Sequence, residues 1–332
     1  MKKLASSLLA AGSAAALVAA PLPASFKMTK CAASGGRTQP ALVRFSRAAE
    51  ARPLIVVLHT WSAGAANGGK YALPAEKYDF HMISPDFCGS NAVGNPLSMG
   101  SDTAVADIVA AVEWMKSKVK VDPERIYLIG GSGGGHMALL MAGRHPELWS
   151  AVSAWCPISD LNAWCRHHGS RSYGKQIIDN LKADPRTDPA AAKEAAHRSP
   201  ITWLAAAKAL PLDIATGIHD GHRGSVPISH TLNAFNAVAA EKDRVPDADI
   251  ELMTKEERAP EGPAPAQDPG YGPRRIHFRR TSGNTRVTIF EGGHDILVDY
   301  GFAWLSRHRK GQPADWAPLP PPEAAKSTRL TR

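Results

Sequence analysis

Ser132 stands in Gly130-Gly131-Ser132-Gly133-Gly134, a G-x-S-x-G arrangement with an apolar run before it and a helical apolar pattern after it. That context separates a nucleophile elbow from a chance match to five residues. A tight strand-to-helix turn leaves no room for side chains two places either side of the serine, and Gly130 and Gly134 fill those places. The hydroxyl would stand above a sheet, with the positive end of the next helix beneath it. A phosphate-binding glycine loop is the rival reading. The Gly-Lys-Ser/Thr ending of a P-loop is missing, however, and no G-x-G-x-x-G with an acidic partner opens at Gly130.

A serine hydroxyl is a poor nucleophile near neutral pH and needs a base that an acid orients. On a strand–turn–helix elbow the partners follow in the order Ser, acid, His, each on a loop after a strand. Asp220 ends Gly217-Ile-His-Asp220 after an apolar run, and His294 ends Glu291-Gly-Gly-His294 after another. The set Ser132, Asp220, His294 has the required order. Asp160 is the competing acid, Asp213 lies within a strand and reads as structural, and Asp295 adjoins the histidine. His136 opens the elbow helix and reads as packing or capping. The oxyanion of acyl transfer needs two N–H donors. Gly133 supplies one, and Thr60 or Trp61, on the loop after the strand at 53–59, supplies the other. Trp61, His222, Trp155 and Trp164 are candidates for lining the substrate pocket, with Trp203 near the same excursion. Packing into core is the competing role for the tryptophans. A metal cluster of His167, His168, His219 and His222 lacks a helix-spaced ligand pair. No metal and no cofactor is expected.

These residues need a scaffold that brings distant loops to one edge. Strands are expected at 53–59, 81–84, 125–129, 151–154, 212–216 and 287–290. Helices are expected at 103–118 with Ser101 or Asp102 as N-cap, and at 136–143, 228–238 and 302–308. The β-then-α alternation predicts an α/β protein with a mostly parallel central sheet and helices on both faces. The polar stretch 158–207 reads as a small helical cap or as an ordinary connecting excursion. Residues 258–273 read as an irregular surface loop, and 312–332, with Pro318 and Pro320 to Pro322, as a loose tail. The catalytic domain is placed at 40–311.

Lys2 and Lys3 precede an apolar Ala/Leu-rich run to Ala20, with small residues at Ala20 and Ala24, which reads as an export signal over 1–24. The run is near the lower limit for a spanning helix and is diluted by Ser and Gly, so stable membrane insertion is not expected. The net charge of +8 falls to +6 without the two lysines, a mild excess with no nucleic-acid-reading motif. An oxidising compartment would let the four cysteines pair, with Cys156–Cys165 and Cys31–Cys88 as one connectivity of three.

The run from Val121 to Ala138, with Gly217-Ile-His-Asp220 followed by Val226-Pro227 and with Gly292-Gly293-His294, resembles the α/β-hydrolase superfamily. It is most similar to the prolyl-oligopeptidase-like (peptidase S9) branch and its bacterial esterase relatives. The resemblance runs from about Leu54 to Arg309, leaving the middle excursion unmatched. It implies an α/β-hydrolase fold, Ser132 as nucleophile, Asp220 as acid and His294 as base. The loop at Trp61 departs from the His-Gly-Gly type of oxyanion loop. Peptidases of this branch carry a propeller that screens peptides, and the hydrolase elements here fill nearly all of 40–311. The expected function is therefore an exported serine hydrolase of carboxylic esters, with acetyl or feruloyl esters of polysaccharides among the substrates. A serine peptidase is the second expectation and a non-catalytic binding protein the third. The expected partner is a small-molecule or polysaccharide-linked ester.

Overall fold

The computed structural model describes residues 22–322. The export segment expected over 1–24 therefore lies almost wholly outside the described residues. Among those residues the strands are β1 (Phe26–Ala32), β2 (Thr38–Arg44), β3 (Arg52–Leu58), β4 (His81–Pro85), β5 (Val121–Gly131), β6 (Ala151–Trp155), β7 (Leu212–Gly217), β8 (Ile276–Ser282) and β9 (Thr285–Phe290). The helices are α1 (Ala72–Lys77), α2 (Asp102–Lys118), α3 (Gly133–Arg144), α4 (Leu161–His168), α5 (Ser172–Leu181), α6 (Pro189–His197), α7 (Ser229–Val238), α8 (Asp247–Glu256) and α9 (Val298–Leu305).

The strands form one sheet in the order β1-β2-β4-β3-β5-β6-β7-β9-β8. Its centre is parallel from β4 to β9, and antiparallel strands close both edges. Side chains alternate across β3. Leu54, Val56 and Leu58 enter a core shared with α2, α3, α7 and α8, while Ile55 and Val57 enter a second core with α1 and α9. Burial on both faces explains the uninterrupted apolar run at 54–58. In α2 the Ser101 hydroxyl accepts the Ala104 N–H at 3.1 Å, with Asp102 in the first turn and Lys116 and Lys118 in the last, as a helix dipole favours.

Three sequence expectations need correction. The domain begins before residue 40, because β1 and β2 pair from Phe26↔Arg44 to Ala32↔Thr38 at the sheet edge. Residues 312–322 are docked rather than loose. Trp316 stacks on Trp304 at 5.3 Å, and the Leu319 N–H donates to Asp268 at 3.0 Å. Finally, all four cysteines are free. The Cys165 thiol contacts the Gly174 carbonyl within the excursion and the Cys156 thiol the Asp295 carbonyl, while Cys88 donates to Asp107.

The excursion at 158–207 folds as α4, α5 and α6. A satellite core joins it to the body through Trp61, Met99, Ile158, Leu161, Trp164, Ile177 and Val226. Because Trp61 and Val226 belong to the loops after β3 and β7, these helices cover the carboxyl end of the sheet. Among the described residues no helix is long and apolar enough to cross a membrane.

Candidate active site

β5 turns into α3 through Ser132, whose backbone is left-handed at φ 60°, ψ −124°. A non-glycine residue holds such a conformation only when its surroundings over-determine it. Here the Ser132 N–H donates to the Trp155 carbonyl at 2.8 Å and the His136 N–H donates to the Ser132 carbonyl at 2.9 Å, tying the turn to β6 and to its own helix. The small neighbours are required by close approach. A Cβ on Gly130 would lie 2.2 Å from the Gly134 carbonyl oxygen, and one on Gly133 would lie 2.4 Å from the Trp61 nitrogen.

Asp220 lies on the loop after β7 and is buried. Its Oδ2 accepts His294 Nδ1–H at 2.8 Å and the Thr216 hydroxyl at 3.1 Å. Its Oδ1 accepts the N–H groups of Gly221 at 3.0 Å and Val226 at 3.2 Å. Four donors hold the carboxylate in place, and its bond to Nδ1 leaves Nε2 as the ring's acceptor. The His294 side chain keeps 25% exposure, so the ring reaches the surface. The Cys156 thiol follows Trp155, the residue that binds the Ser132 amide. Ligand atoms of Cys156, Asp220 and His294 all lie within 4.8 Å of one another. Ile296, two residues beyond His294, fills the space that a side chain at Gly131 would need. The loops of Ser132, Asp220 and His294 thus meet at the carboxyl ends of β5, β6, β7 and β9.

The rival acids have other partners. Asp160 caps α4 by accepting the Ala163 N–H, Asp213 is buried against Arg286, and Asp295 binds Arg274 and the Gly293 amide. At the loop after β3 the two oxyanion candidates separate. The Thr60 N–H points to Asn67 Oδ1 at 3.2 Å, whereas the Trp61 nitrogen sits against Gly133.

The pocket candidates also divide. Trp155 needs correction: it is fully buried among Tyr271, Phe290 and Tyr300, donates to Ser153, and presents no surface to a ligand. Trp203 is held by the His197 carbonyl and the Arg144 guanidinium. Trp61 meets Trp164 edge-on at 4.7 Å, and its Nε1–H donates to Gln176 at 2.7 Å. Trp164 is itself buried and donates to the Ser225 carbonyl at 2.9 Å. Both tryptophans therefore tie the covering helices to the candidate site. His222 is half-exposed and donates to the Thr254 carbonyl.

The four histidines weighed as metal ligands have other partners or positions. His168 contacts the same Ser225 carbonyl, and His219 is held between Glu257 and Glu291. His167 and His222 line a cavity of about 420 Å³ with His230. His136 is buried, with Nε2 donating to the Arg198 carbonyl, and burial pulls its pKa down to about 4. Sequence reasoning missed Thr216 and Val226 as holders of the acid. Their place one strand-end before Asp220 and six residues after it was the only available signal.

A mostly parallel sheet with helices on both faces, and a left-handed serine where its fifth strand turns into a helix, defines an α/β hydrolase. A model of the prolyl oligopeptidase family matches residues 78–257. The chain belongs to that family of serine hydrolases. Feruloyl esterase B of Neurospora crassa is 30% identical over 114 residues, which cover 32% of this chain and 39% of that one. Acetylxylan esterase A of Aspergillus ficuum is 30% identical over 128 residues, covering 33% of this chain and 41% of that one. A puromycin-hydrolysing peptidase of Mycobacterium tuberculosis shares the fold, with a TM-score of 0.55 at 15% identity over 85% of this chain and 38% of that one. The chain spans less than half the length of each of these relatives.

Proposed function

We propose that the protein is an exported carboxylic-ester hydrolase working through an acyl-enzyme, with Ser132 as nucleophile, His294 as base and Asp220 as the orienting acid. The observation that carries this reading is the 2.8 Å bond from His294 Nδ1 to the buried Asp220, on loops beside the strained Ser132 turn. His294 Nε2 takes the serine proton as Oγ attacks the ester carbonyl, then gives it to the leaving alcohol and later activates water. The Gly133 and Trp61 amides hold the oxyanion. His222 borders the acyl or alcohol side, and the buried Trp61 and Trp164 hold the covering helices beside it. The similarity to an acetylxylan esterase and a feruloyl esterase supports small-molecule or polysaccharide-linked esters as the substrate class.

Ser132→Ala is expected to lower kcat by ~10⁶ with the fold kept, as triad deletions do. Near-normal turnover by that variant, purified and folded, rejects the assignment. A serine peptidase is the second reading, favoured by the family match. Rates on p-nitrophenyl acetate against aminoacyl p-nitroanilides separate the two. Failure of a fluorophosphonate to label Ser132 in folded protein would leave a non-catalytic binding protein.

A further inference from the structure

The Cys156 thiol has no part in the acyl-transfer scheme, yet its backbone is held left-handed at φ 46°. Its N–H donates to the Ala215 carbonyl at 2.8 Å, one strand over. That conformation brings the sulfur to the pair that orients the base. Ligand atoms of Cys156, Asp220 and His294 lie within 4.8 Å of one another, and among the described residues this is the cluster with metal-ligand spacing. On another side, the Tyr71 hydroxyl is buried without a hydrogen-bond partner and lies within electrostatic reach of the same thiol. The Lys70 ammonium is also within reach, and burial pulls it down to about 8. A thiolate, an imidazole nitrogen and a carboxylate oxygen are the mixed donor set that suits a tetrahedral d¹⁰ cation.

We propose that Cys156, Asp220 and His294 form an inhibitory site for Zn²⁺ or Cd²⁺. The thiol gives its proton to solvent and binds as thiolate, Asp220 supplies a carboxylate oxygen, and His294 binds through Nδ1. The Nδ1 proton moves to Nε2, so one proton is released in all. The ring then has no lone pair for the serine proton, and hydrolysis stops. The inhibitory consequence rests on the proposed role of His294, but binding of the metal does not.

CdCl₂ titrated into the full chain tests both halves. Binding is followed by equilibrium dialysis and by the ultraviolet thiolate-to-cadmium absorption, and activity by p-nitrophenyl acetate hydrolysis. One Cd²⁺ is expected to bind, hydrolysis to fall at least tenfold, and a chelator to restore it. Cys156→Ser is expected to keep hydrolysis, lose the absorption, and need at least about tenfold more metal for inhibition, since even outer-sphere changes shift metal affinity by ~10–100-fold. A second variant with Cys31, Cys88 and Cys165 all changed to Ser is expected to keep the absorption, which secures the test if Cys156→Ser does not fold. Inhibition of Cys156→Ser at the wild-type concentration, or no Cd²⁺ bound by an active wild type, overturns the site. Full hydrolysis with Cd²⁺ bound at Cys156 overturns the inhibition. Cys156-dependent binding in a chain that cleaves no ester or anilide upholds the site and counts against the hydrolase reading.

Discussion

Replacing Gly133 by Ala tests the oxyanion geometry more sharply than removing the nucleophile. The new Cβ would lie 2.4 Å from the Trp61 nitrogen, 2.5 Å from its Cα and 3.0 Å from its Cβ. Carbon contacts sit near 3.5–4.0 Å, so the Trp61 backbone and the start of α3 must part by about 1 Å. That moves the two amides assigned to the oxyanion away from each other. Loss of one such donor lowers kcat by ~10²–10³, and a 1 Å misplacement alone is worth about 10². Stability changes far less. Alanine gains about 0.5–1 kcal/mol over glycine in a helix, against about 1–3 kcal/mol for overpacking, a net loss of about 0–2.5 kcal/mol.

The measurement is kcat and KM on p-nitrophenyl acetate beside a urea titration of the same preparation. The expected pattern is a kcat lower by about 10²–10³ with KM little changed and the denaturation midpoint slightly lower. Trp61→Phe keeps the backbone N–H while removing the indole bond to Gln176, so its kcat should stay within about tenfold of wild type. A folded Gly133→Ala protein with wild-type kcat, or a Trp61→Phe loss as large as the Gly133→Ala loss, refutes the placement of the oxyanion between these two amides.

Three further outcomes follow from packing and charge. Burial holds His136 at a pKa of about 4 and His230 at about 3, against an ordinary value of 6.5, so both are neutral in the folded protein where the unfolded chain would protonate. Their stability contribution is complete above pH 6.5 and is lost as pH falls toward the folded values, by about 3 kcal/mol each at pH 4. The urea midpoint should therefore drop steeply between pH 6.5 and 4, and His136→Gln should flatten the slope. Deleting residues after Gln312 removes the Trp316 stack on Trp304, the Arg286 guanidinium over Trp316 and the buried Leu319; a loss of about 2–4 kcal/mol is expected in thermal or urea unfolding. Trp164→Ala should remove about 3–5 kcal/mol and raise KM more than it lowers kcat, because Trp164 joins the covering helices to the Ser225 carbonyl.

The central strands were legible because burial on both faces writes an unbroken apolar run, as at Leu54 to Leu58. The elbow was legible because only glycine tolerates the approach of Gly134 to Gly130. The edge strands were not. β1 reads FKMTKCA and β8 reads IHFRRTS, each with one face in water, so polar residues interrupt the pattern. The docked tail was hidden for another reason. Its prolines exclude regular structure, but they do not prevent Trp316 and Leu319 from finding partners contributed by α9 and by Asp268. Trp155 misled because an indole after a strand says nothing about which face it takes, and here it points into the second core.

Two non-glycine residues at the ends of adjacent strands, Ser132 after β5 and Cys156 after β6, are both left-handed. Each is tied by its own N–H to the carbonyl of the next strand over, Ser132 to Trp155 and Cys156 to Ala215. The strain at either place, of order 1–3 kcal/mol, persists because releasing it would break a ladder hydrogen bond at the rim of the sheet. The chain of bonds continues through Ile218, whose N–H donates to the Phe290 carbonyl, and His219, whose N–H donates to Gly292. The Ser132 hydroxyl, the Cys156 thiol and the loops that carry Asp220 and His294 are therefore positioned by one row of backbone bonds running across the sheet. This explains how residues 132, 220 and 294 can be held at one edge without depending on the cap, which rests on the loops of Trp61, Asn91 and Ser225. It also sets an order of sensitivity. Changes in the covering helices should act on substrate affinity first, and changes in the glycines that let these strands turn should act on kcat.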